Sequence, residues 1–122
     1  MSKPVALLYY SNLLPGTQLG IRLQDLGYRV ETLSDLSTLR QVCERQKPMV
    51  VVAEISRDPQ TWAAIADLRN DAATKHIPVV AYSATHDPQL QAEAQQAGVT
   101  LLASSTAMIE QLPQLLDQAL EV

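Results

Sequence analysis

The stretch PMVVVAEIS, residues 48–56, sets a β-branched run in front of one acid, Glu54. A strand of this kind delivers its last side chain to the rim of a sheet, where a carboxylate can accept a hydrogen bond or take part in transfer chemistry. Hydroxyls end the other apolar runs: Tyr10 and Ser11, with Asn12 beside them, then Ser83, then Ser104, Ser105 and Thr106. Brought together they would form a neutral, hydroxyl-rich pocket for a small ligand or a partner's loop. Ordinary turn and capping roles are the simpler reading of the same residues. His86 falls on the same side as Ser83, but the chain has no G-x-S-x-G elbow and no Asp placed to orient that imidazole, so a hydrolase is not indicated. His76 precedes the fourth run, at the opposite end. The LLPGTQLG stretch has two glycines and a Thr, but it lacks the hydroxyl-rich spacing of a flavin phosphate loop, and few aromatics are available to sandwich a flavin.

Five short β-type runs would position these groups: residues 5–10, 28–33, 49–54, 78–83 and 99–104. The first, third and fourth are nearly continuous in apolar residues, as in strands buried on both faces of a parallel sheet. The second is more polar and reads as an edge. Helical stripes lie between them. Leu19, Leu23 and Leu26 run to a C-cap at Gly27. Leu36, Leu39, Val42 and Cys43 follow, with Ser34 as the expected cap. Trp62, Ile65 and Leu68 form a core-facing stripe after Asp58-Pro59. The segment after Asp87-Pro88 ends at Gly98, and both Asp-Pro pairs read as an N-cap followed by proline at N1. The last stripe is Ile109, Leu112, Leu115, Leu116 and Ala119, and Pro113 inside it predicts a late start or a kink. Five β-α units in order predict an α/β, flavodoxin-like, doubly wound five-stranded parallel sheet of order 2-1-3-4-5, with the site beyond the strand carboxyl ends.

The chain has 122 residues, enough for one domain and one core. Hydrophobic residues make up 47% and Phe is absent, so the core must be aliphatic. A net charge of −4 with scattered Lys and Arg gives no footprint for nucleic acid or an anionic membrane. No apolar run is long enough to span a bilayer, and the amino terminus does not read as a signal peptide. The single cysteine, Cys43, cannot form an internal disulfide, which fits a reducing cytoplasm, and it reads as a small buried apolar residue.

In that order and register, KPMVVVAEIS, LRNDAATKHIPVVAYSA and HDPQLQAEAQQAG resemble the CheY-like receiver domain of two-component response regulators, over essentially the whole chain, as a single domain spanning 1–122. Such receivers take a phosphoryl group from a histidine kinase onto an Asp ending strand 3. The resemblance puts Glu54 there, Tyr10 and Ser11 at the acidic pair that holds Mg²⁺, and Ser83 at the phosphate-binding hydroxyl. It puts Ser105 at the essential Lys, Thr106 at the Pro after it, and Leu102 at the aromatic switch. Only Ser83 keeps the family's residue type. Phosphoryl transfer depends on positioned cations, and none is encoded here.

The resemblance therefore implies a degenerate receiver, a pseudo-receiver, in cytoplasmic bacterial signalling. It would be no enzyme, have no cofactor and no Mg²⁺ site, and bind a kinase, output domain or regulator independently of phosphorylation. The alternatives are a genuine phosphoacceptor in a phosphorelay, or a small-ligand binder at the carboxyl rim of the sheet. Glu54 itself has two readings: a substitute for phospho-Asp hydrogen-bonded to Ser83, or a solvent-facing acid that is merely tolerated. The flat Ala- and Gln-rich fourth helix adds the expectation of a weak homodimer.

Overall fold

The computed structural model describes residues 3–55, 59–84 and 87–120. Asp58 and His86, two residues singled out in the sequence, lie outside them. The elements alternate as expected: β1 Val5–Tyr9, α1 Leu13–Asp25, β2 Arg29–Leu33, α2 Leu39–Gln46, β3 Val50–Glu54, α3 Pro59–Asn70, β4 Val79–Ser83, α4 Pro88–Ala97 and β5 Leu101–Ser104. Two short helices, α5 Ser105–Glu110 and α6 Leu112–Leu120, close the chain. All four strand pairings are parallel and the order is β2-β1-β3-β4-β5, which is the predicted sheet.

Alternation along the strands sorts the core onto two faces. Leu8, Val50, Val52, Val80 and Tyr82 pack with Leu19, Leu23, Met108, Leu112 and Leu116 from α1, α5 and α6. Leu7, Val51, Ala53 and Val79 pack on the other face with Leu39, Cys43 and Leu68 from α2 and α3. Ile55, Ile65, Ala81, Leu90 and Ala94 extend that second layer toward α4.

Helix ends follow local chemistry, with some departures from expectation. Gly27 adopts φ 97°, and Gly27 N and Tyr28 N donate to the carbonyls of Gln24 and Leu23, a Schellman end. Leu26, expected on the buried stripe, is 42% exposed because it falls in the cap after the last regular turn. Asp35, not Ser34, caps the single 3₁₀ turn Leu36–Thr38 that leads into α2, accepting from Ser37 N. Asp87 caps α4 by accepting from Gln89 N, as predicted. The last stripe breaks at Gln111, two residues before Pro113, because proline fits a helix only in its first turn. Trp62 is half-buried against the α4-side core, and its Nε1 donates to Glu93 across 2.7 Å, tying α3 to α4.

Arg69 ties the α3–β4 and α4–β5 connections together. Its guanidinium donates to the carbonyls of Gly98 (2.7 Å), Lys75 (2.7 Å) and Ile77 (2.5 Å) and to Thr100 Oγ1 (2.9 Å). Gly98 holds φ 102°, and a Cβ there would lie 2.6 Å from Arg69 Cγ, so glycine serves both the turn and the arginine.

Candidate functional site

β3 carries Glu54 to the carboxyl rim, next to the loop that leaves β1. Glu54 Oε1 accepts from the backbone N–H groups of Ser11 (3.3 Å) and Asn12 (3.2 Å). Glu54 Oε2 accepts from Ser11 Oγ (2.8 Å) and Asn12 Nδ2 (2.6 Å). Both oxygens are thus engaged by one dipeptide, in a half-exposed position just ahead of the first residue of α1. Asn12 is the N-cap of α1, yet its side chain makes no bond to the helix and turns to Glu54 instead.

Glu54 is not a loose acid in solvent, and its hydrogen bonds go to Ser11 and Asn12 rather than to Ser83. The register explains this. Glu54 pairs with Tyr82, so those two side chains leave the sheet on the same face, and Ser83, one residue later, leaves on the other. Ser83 is 7% exposed and lines a cleft of about 140 Å³ between β5 and α4, together with Asp87, Leu90, Gln91, Leu102, Ala103 and Ser104.

Of the predicted hydroxyls only Ser104 shares that cleft with Ser83; Tyr10, Ser11, Ser105 and Thr106 do not line it. Tyr10 packs against the α1-side core, and the room for it is made by Gly16, where a Cβ would fall 2.8 Å from Tyr10 Cβ. Ser104 is the N-cap of α5, accepting from Ala107 N at 3.1 Å. Ser105 is the first residue of α5 and is half-buried, and Thr106 follows it into solvent. Leu102 is half-buried against the α4-side core.

Tyr82 was missed in the sequence reading. It is fully buried on the Glu54 face and closes no hydrogen bond among the described residues. Burial, and then the nearby Glu54 charge and Tyr10, push its hydroxyl pKa upward, so it stays protonated under the carboxylate. Its position just before Ser83 was the available signal, since strand alternation puts it on the face of Glu54.

Mg²⁺, implied by the resemblance, needs hard oxygen ligands, chiefly carboxylates. The groups around Glu54 are instead hydrogen-bond donors, and they occupy both of its oxygens. Tyr10, at one acidic-pair position, packs on the core, and Ser11, at the other, donates to Glu54. Among the described residues no group of three or more His, Cys, Asp or Glu could hold a metal. This donor set does not fit the ion.

No protein-family model matches the sequence, and no curated relative matches it. Solved structures do match the fold. The receiver domain of a sensor histidine kinase from Pseudomonas aeruginosa PAO1, which has a magnesium ion coordinated in its active-site cleft, superposes with TM-score 0.84 at 21% identity, over 100% of both chains. The beryllofluoride-activated N-terminal receiver domain of RstA from Klebsiella pneumoniae gives 0.82 at 17% identity, covering 97% of this chain and 99% of its own. A chemotaxis protein of Vibrio cholerae gives 0.77 at 16% identity, covering 93% and 99%. The chain therefore has the fold of response-regulator receiver domains. No described helix is long and apolar enough to cross a membrane.

Proposed function

We propose that this chain is a receiver-type signalling module that does not take a phosphoryl group at Glu54 and acts through phosphorylation-independent protein–protein contact. The observation that carries this reading is the Glu54 carboxylate held by four donors of Ser11 and Asn12. An acceptor must present a free oxygen to the incoming phosphorus, with cations beside it to offset the charge. Here both oxygens are engaged by uncharged donors, and Ser105 stands where the resemblance would put the Lys. Loss of the Mg²⁺ site, the absence of enzymatic activity, and a cytoplasmic, bacterial setting belong to the same proposal. The partner is a protein of a two-component-type pathway.

Titration of the ¹⁵N-labelled chain with Mg²⁺ tests the reading. The amides of Ser11, Asn12 and Glu54 should stay unmoved at millimolar ion. Saturable shifts confined to those three would restore a metal site and overturn it.

A further inference from the structure

The amino ends of β3 and β4, opposite the rim that carries Glu54, frame a cavity of about 350 Å³. That lies at the small end of the range for ligand sites, about 300–1,000 Å³. Cys43, Pro48, Ala73 and Ile77 give it apolar surface, and Glu44, Lys47 and His76 give it polar groups. Burial keeps the Cys43 thiol protonated, so its sulfur belongs to the apolar floor. The wall supplied by the α3–β4 connection is preformed. Asp71 Oδ1 accepts from Ala73 N (2.9 Å), Lys75 N donates to the Asp71 carbonyl (2.8 Å), and Thr74 Oγ1 donates to the Leu68 carbonyl (2.7 Å).

The charges around this cavity are sorted along α2. Arg40, one turn before Glu44, draws that carboxylate back along the helix (2.8 Å), and it also holds Asp67 (2.9 Å) and Asp71 (3.2 Å). One guanidinium thus serves three carboxylates, and that side keeps a surplus of negative charge. Lys47 follows Glu44 by three residues, near enough on a helix surface to pair with it. With Glu44 drawn to Arg40, Lys47 makes no ion pair among the described residues, and neither does His76. Arg45 and Lys75, exposed on the same two segments, form none either. Lys47 is also the one non-glycine with positive φ among the described residues, at 49°. Glycine suits such a helix end without strain, so the lysine stands there at a conformational cost.

We propose that this cavity binds a small zwitterion, of the class of free amino acids with an apolar side chain. Its ammonium would meet Glu44, its carboxylate Lys47 and His76, and its side chain the apolar floor. A simple anion would face the surplus of carboxylates around Arg40, and a simple amine would face Lys47. A metal ion is not the occupant, since among the described residues no group of three or more His, Cys, Asp or Glu could hold one. The inference goes beyond the function proposed above and does not rest on it, because the two concern opposite ends of the sheet.

The probe is L-leucine, added at up to tens of millimolar concentration to the ¹⁵N-labelled full chain. Expected are saturable shifts centred on residues 43–47 and 73–77, with the amides of Ser11, Asn12 and Glu54 unmoved. Isocaproate, which is leucine without the ammonium, and isoamylamine, which is leucine without the carboxylate, should each bind at least about threefold more weakly, as the loss of one exposed ion pair predicts. Lys47→Gly keeps the left-handed backbone and removes the cation. It should weaken leucine binding by about threefold while urea unfolding shows a fold no less stable. Ala73→Leu, at an exposed position, fills the cavity and should abolish binding with the unfolding midpoint unchanged. The absence of saturable shifts, shifts centred on the Glu54 rim instead, isocaproate or isoamylamine binding as tightly as leucine, or undiminished binding by Lys47→Gly or Ala73→Leu would each overturn the proposal.

Discussion

Removing the Glu54 carboxylate tests whether its four hydrogen bonds matter to the molecule. A net hydrogen bond contributes about 1 kcal/mol and a charge-assisted one about twice that, but donors near the surface can turn to water instead. With the group half-exposed, Glu54→Ala should cost about 2 kcal/mol in total. Glu54→Gln keeps the shape. Its oxygen can still accept the two backbone N–H groups, and its amide can donate to Ser11 Oγ, so the expected cost is about 1 kcal/mol. Urea unfolding measures both, and in a thermal scan each kcal/mol should lower Tm by about 4 °C for a chain of this length. Asn12→Ala combined with Glu54→Ala in a double-mutant cycle should give a coupling of about 1 kcal/mol, since the Asn12 side chain bonds Glu54 and not its own helix. An unchanged or raised stability of Glu54→Ala, with no coupling to Asn12, would refute the reasoning and return Glu54 to a tolerated strand-end acid.

Arg69→Met should cost about 2–4 kcal/mol in the same unfolding assay, because it strands the carbonyls of Gly98 and Ile77 that the guanidinium serves; a loss under 1 kcal/mol would mean that water replaces it. Cys43 is 1% exposed, and burial pushes its thiol up to about 12, so alkylation of the native protein at pH 8 should be far slower than in urea. The same shift predicts a stability that is complete below pH about 9 and falls as pH rises from there toward 12, where the unfolded chain ionises this thiol and the native one does not.

The elements were legible because their signals are local. Apolar runs gave five strands to within two residues, Asp87-Pro88 and Gly98 bounded α4, and Pro113 marked the break before α6. Leu26 and Ser34 misled because a cap displaces the last member of a stripe and because either of two adjacent oxygens can cap a turn. The site was less legible. The residues at the rim were identified, but their mutual contacts depend on register: Glu54 opposite Tyr82 sends Ser83 through to the other face. Alternation along β4 would have revealed that much. The choice of Ser11 and Asn12 as donors depends on the path of the β1–α1 loop, which turns on Gly16 making room for Tyr10, and no local pattern encodes it.

The central claim is that Glu54 is a held carboxylate and not a phosphoacceptor. Intact mass after incubation with a small-molecule phosphodonor and Mg²⁺ tests it most directly, with Glu54→Asp and Glu54→Ala measured alongside. The predicted result is no phosphoryl adduct on the native chain, nor on Glu54→Asp, since the missing cations are not restored by shortening the acid. An adduct on the native chain that disappears in Glu54→Ala would contradict the account.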